Sequence, residues 1–179
     1  MIRLDFVSNS SSSSHIIIAD KIEEKYLPKI EDLENRKIYL PSKELGNHCF
    51  GWEWVDYRDF WSKLNFCAIQ LYDLKKYCNP DKCITDYLKD YYKRYNFNKC
   101  LKMLKNVCKE KFDLDIHLKL EFEDDEKYDY YIDHQSSITE GRNMEMFDDE
   151  DKLYRFLGNE NDSYIQGGND NEPPGGYDD

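Results

Sequence analysis

The residues best suited to chemistry in this 179-residue chain lie in four short clusters. The string Asp133-His134-Gln135-Ser136-Ser137 puts a carboxylate, an imidazole and hydroxyls side by side. A nucleophile and its base are normally brought together from separate segments, so neighbours in sequence argue only weakly for a triad. Asp133, His134 and Ser136 are therefore candidates for acid–base work, with His134 as the general base. The plainer role for His134 is to cap a strand end and bond a backbone carbonyl.

The second cluster is Asn9-Ser10-Ser11-Ser12-Ser13-Ser14. Three readings are open to it: a polar surface turn, a nest of backbone N–H groups and hydroxyls around an anion, or a run of phosphorylation targets. It lacks the glycines and lysine of a P-loop, which argues against nucleotide hydrolysis. Trp52 and Glu53, in an aromatic loop, and Asn169-Asp170-Asn171, after a Gly-Gly pair, complete a candidate ligand-binding set with the serines. A tight turn explains the Asn-Asp-Asn cluster equally well.

Six cysteines are present and no CxxC. Cys67, Cys100 and Cys108 fall on apolar helical stripes, where a thiol behaves as a small hydrophobe. His48, Cys49, Cys78 and Cys83 lack the paired spacing of structural zinc, so neither a metal nor a cofactor is expected.

These clusters need a scaffold. Residues 2–7 and 15–18 read as strands around the serine run, and 37–40 as a third, stopped by Pro41. Residues 20–33 read as a short helix interrupted by Pro28. A helix capped by Asp56 runs to about 77, with Phe60, Leu64, Cys67, Leu71 and Leu74 on one face. Further helices are expected over 83–95 and from Phe97 through Leu101, Leu104 and Cys108, with Met103 and Val107 beside that stripe. From residue 114 the period changes to two, which predicts a strand to 122, an acidic turn and a returning strand at 128–132 in an antiparallel hairpin. Residues 143–147 read as a short strand, 149–157 as a helix, 163–165 as a last strand. The sum is an α+β fold: a mainly antiparallel sheet with three or more helices packed on one face. One domain is expected over 1–166, with a Gly/Asn/Pro/Asp-rich loop and tail over 167–179.

Charge is divided unevenly. Residues 1–110 hold 19 Lys and Arg against 16 Asp and Glu, a net of +3, whereas residues 111–179 hold 6 against 21, a net of −15. Such a field repels nucleic acid. It suits a solvated acidic face, a surface for a basic host protein or, less well, an imitation of DNA phosphates, since the carboxylates cluster in loops and strand ends. No apolar run reaches membrane-spanning length and no signal peptide opens the chain, so a cytoplasmic protein is expected.

The run Phe6-Val7-Ser8-Asn9 followed by five serines resembles the opening of a group of bacteriophage and bacterial proteins with no established function. Arg3 and Phe6 fit that opening, while Asp5 stands for the usual Gly and His15 for the usual Phe. Phe50-Gly51-Trp52-Glu53, Ser62-Lys63-Leu64-Asn65-Phe66, Ile132-Asp133-His134-Gln135-Ser136 and Ser163-Tyr164-Ile165 with Asn169-Asp170-Asn171 extend the likeness over most of the chain. The resemblance implies a phage-related accessory protein acting in a bacterial cell. Three functions follow as expectations: a non-enzymatic acidic protein that binds a host component, a small enzyme or anion-binding protein using Ser10–Ser14 and His134, or a virion component.

Overall fold

The computed structural model describes residues 12–22, 37–51, 55–77, 93–119, 121, 130–132 and 143–169. Its centre is a helix, α1 (Phe60–Tyr77). Every residue from Ser62 to Leu71 is buried, so α1 is enclosed on all sides rather than amphipathic. Its cap is not Asp56. Asp59 Oδ1 accepts from the Ser62 amide at 2.8 Å, and Glu160 Oε1 accepts from the Phe60 amide at 2.9 Å. Asp56 instead lies in a strand, because three residues separate it from the first free helical N–H groups.

Around α1 pack α2 (Phe97–Phe112) and α3 (Glu150–Gly158). Asn96 caps α2 by accepting from the Asn98 and Lys99 amides, and Asp113 closes it in the left-handed conformation at φ 53°. Its buried face is Cys100, Met103, Leu104, Val107, Cys108 and Phe112, while Phe97 and Leu101 are only half-buried. Asp149 caps α3 through the Lys152 amide.

The strands are β1 (Ser12–Ile17), β2 (Lys37–Leu40), β3 (Cys49–Phe50), β4 (Asp56–Tyr57), β5 (Asp115–Leu118), β6 (Tyr131–Ile132) and β7 (Tyr164–Asn169). An antiparallel sheet of order β1-β7-β4 and helices packed about a shared core make the fold α+β. One contiguous cluster of buried apolar side chains extends from Ile38 to Ile165.

Several elements differ from expectation. The predicted hairpin is absent among the described residues: β5 pairs in parallel with β2 and β6 in parallel with β3. Two-residue periodicity identifies a strand but not its partner. Glu145–Phe147 forms a 3₁₀ turn, not a strand, entered through Asn143 at φ 57°. Residues 20–22 are not helical, and the rest of the expected 20–33 helix, most of the 83–95 helix and the 2–7 strand lie outside the described residues. The expected loop from Gly167 is strand as far as Asn169, with Gly167 and Gly168 buried. Among the described residues no helix is long and apolar enough to cross a membrane.

Candidate functional site

Antiparallel register joins two of the sequence clusters. Ser12 lies opposite Asn169, Ser13 opposite Gly168 and Ser14 opposite Gly167. The last three serines are therefore strand rather than turn, held in place by a glycine pair across the ladder. Ser14 is 1 % exposed, and its carbonyl accepts from Asn143 Nδ2 at 2.7 Å. That burial removes Ser14 from any surface anion nest. Asn9, Ser10, Ser11, Trp52, Glu53, Asp133, His134, Ser136, Asp170 and Asn171 lie outside the described residues. The strands that lead into two of these segments are placed: β3 and β6 run in parallel and end together, with Phe50 beside Ile132.

The outer face of the three-stranded sheet carries a polar row, His15, Gln166 and Asp56, one residue from each strand. Arg58 extends it, stacked 3.9 Å over the Tyr164 ring and bonded to Asp56 at 2.7 Å and to the Asn161 carbonyl. An antiparallel sheet with one face in water ordinarily presents such a row.

The second notable centre is hidden. Lys63 is 0 % exposed, and its Nζ donates to the carbonyls of Asn159 at 2.9 Å and Ser163 at 3.1 Å, 5.9 Å from the Phe156 ring centroid. Among the described residues it forms no ion pair. Burial lowers its pKa from 10.5 to about 7, opposed by the more distant charges of Glu160 and Asp59. The same physics acts on the buried thiols: burial pushes that of Cys67, beside Lys63, well up, and those of Cys100 and Cys108 on α2 to about 12. Burial likewise raises Asp73, further along α1, to about 7 against the pull of Lys76. Such thiols stay protonated and inert.

A third cluster is a surface strut. Asp148 accepts from Arg94 at 2.6 Å, Tyr95 at 2.7 Å and Lys152 at 2.6 Å. Partial burial works to raise its pKa, but the bonds from Lys152, Tyr95 and Arg94 outweigh it and hold the carboxyl below its ordinary value.

Lys63 was legible in principle. Phe60, Lys63, Cys67, Gln70 and Leu74 repeat at spacings of three and four, so Lys63 and Gln70 occupy stripe positions that ought to be apolar. Chemically, none of these groups is arranged as a nucleophile–base pair with access to a substrate. Among the described residues no group of three or more His, Cys, Asp or Glu is placed to hold a metal ion. No protein-family model, curated protein or solved structure matches the chain.

Proposed function

We propose that this protein works by binding: a phage-related accessory protein whose acidic final third engages a basic surface of a bacterial host protein in the cytoplasm. The observation that carries the reading is where its charge sits. Asp113, Asp115, Glu121, Glu145, Asp149, Glu150, Asp151 and Asp162 are all exposed, and of these Asp113 and Asp151 are paired to Lys109 and Arg155. Of the two groups shifted most toward neutrality, Lys63 is taken out of water by the core and Asp73 is half-buried on α1. Charge is thus offered to partners while reactive character is withheld from them. A net charge of −12 speeds encounter with cationic surfaces and works against nucleic acid. The resemblance at Asn9–Ser14 supplies the phage setting.

Pull-down from bacterial lysate with the whole chain tests this. A partner captured at low salt should be lost at high salt and by a Glu121→Gln, Glu145→Gln, Glu150→Gln variant. Capture of no partner at either salt concentration refutes the proposal.

A further inference from the structure

Lys63 sits where α1 meets the corner between α3 and β7, and that corner does more than bind a lysine. Ser163 Oγ accepts from the Ala19 amide at 2.8 Å and donates to the Arg155 carbonyl at 2.9 Å. Arg155 donates to the carbonyls of Ala19 at 2.7 Å and Asp20 at 3.1 Å, and Asn159 Nδ2 donates to that of Lys21 at 3.1 Å. The chain leaving the serine strand β1 is therefore fastened to the 159–163 corner, and the corner is fastened to α1 by Lys63. Glu160 of the same corner caps α1 through the Phe60 amide.

The site has two acceptors for Lys63, the carbonyls of Asn159 and Ser163. A neutral amine has two N–H groups, and both are satisfied. An ammonium has three, and beyond the two carbonyls the contact of Nζ among the described residues is the Phe156 ring, 5.9 Å to its centroid and at the outer limit of a cation–π contact. The titratable groups facing it are Glu160 on the corner, Asp59 at the cap, Arg58 just after β4 and the protonated thiol of Cys67 one turn along α1, and among the described residues neither carboxylate forms an ion pair with it. A proton taken up here places an unpaired charge and an unmatched donor in the core.

We propose that the 159–163 corner is a proton-linked latch: uptake of a proton at Lys63 drives the corner off α1 and releases residues 19–21, the exit of the serine strand. Closed, the amine gives up its proton near pH 7, and opened to water it recovers its ordinary value of 10.5. Between those limits the open form holds a proton the closed form lacks, so falling pH favours opening about tenfold per unit. Below pH 7 both forms are protonated and the dependence ends. The inference is independent of what the acidic face binds.

Native-state hydrogen exchange on the whole chain tests the latch, with rates corrected for the intrinsic effect of pH. The Ala19 amide should be less protected than that of Leu104 in the core of α2. Its protection should fall about a hundredfold from pH 9 to pH 7 and level off below. Lys63→Met should abolish that dependence. If Ala19 and Leu104 are equally protected, or if Ala19 protection is flat across this range, the latch is refuted. Should Lys63→Met fail to fold, the wild-type Lys63 side-chain nitrogen can be titrated by NMR: a midpoint near 7 supports the proposal and one near 10.5 overturns it.

Discussion

α1 and α2 are the longest helices among the described residues, at 18 and 16 residues, and both bear lysines, yet the two treat polar side chains in opposite ways. On α2 the lysines face water: Lys99, Lys102, Lys105 and Lys109 are exposed, and among the described residues only Lys109 of these is ion-paired, to Asp113 at 2.9 Å. On α1 the polar side chains of the central turns, Ser62, Lys63, Asn65 and Gln70, point into protein, and only the last turn bears exposed lysines, Lys75 and Lys76. Ser62 Oγ accepts from the Asn47 amide at 2.8 Å; Asn65 accepts from the Ser42 amide at 2.9 Å and donates to the carbonyls of Ser42 at 2.8 Å and Asn47 at 3.1 Å. Gly46, at φ 110°, brings this loop so near that a Cβ there would lie 2.8 Å from the Ser62 amide. The polar groups of α2 keep the protein hydrated, whereas those of α1 satisfy irregular backbone that would otherwise be buried without partners. Central position, not helix propensity, decides which role a side chain takes.

The sharpest way to break this contrast is to remove a polar side chain from α1. Asn65→Leu strands one amide and two carbonyls, and since each buried orphan costs about 1–3 kcal/mol, a loss of roughly 4 kcal/mol is expected in urea unfolding. A loss below about 1 kcal/mol would mean that the loop re-forms its bonds elsewhere and that α1 does not organise it. Next in size is the effect of pH. The folded Lys63 binds its proton less tightly than the unfolded chain does, so the unfolded state holds more protons between pH 7 and 10.5 and stability rises with pH there. Cys67, Cys100 and Cys108, whose thiols are raised by burial, reverse the slope above about pH 9, where the unfolded thiols ionise first. Asp73, raised to about 7, lowers stability as pH climbs from 4 to 7. The expected profile has its minimum near pH 7 and gains up to about 3 kcal/mol by pH 9 at 1.36 kcal/mol per unit. Lys63→Met should flatten the alkaline limb, and an unchanged limb would assign the rise to another group.

What could be read from the sequence follows the same division. α2, half in water, writes its position as a three-and-four spacing of apolar residues, and that stripe located it with a modest rotation of the buried face toward Cys100 and Met103. α1 has its stripe too, and Lys63 and Gln70 fall on it, but nothing local marks Ser62 or Asn65 as lying inside, because a buried Asn looks like a surface residue until its partners are known. The partners of Ser62, Lys63 and Asn65, namely Ser42, Asn47, Asn159 and Ser163, are remote in sequence. Strand pairing failed for a related reason. The alternation at Leu114–Leu118 marks a strand, but nothing local says that β2 rather than the next segment lies beside it. The serine run stands out in the sequence, but its position beside Asn169 is visible only in the register of β1 on β7. Of the candidate site, composition could nominate residues but not enclose them.

Smaller effects sharpen the other side of the comparison. Asn96→Ala removes the acceptor for the Asn98 and Lys99 amides, and α2 should lose about 1 kcal/mol, the usual worth of a cap. Lys102→Ala and Lys105→Ala should change stability by no more than about 0.5 kcal/mol each, because both side chains are exposed and neither forms an ion pair among the described residues. That last pair is the most discriminating in logic although the smallest in size. If an exposed lysine of α2 proved as costly to remove as Asn65 of α1, burial would not be what separates the two helices, and urea midpoints for the Lys102, Lys105 and Asn65 variants measured side by side decide it. The expected order places Asn65→Leu far below wild type and the two lysine variants within error of it.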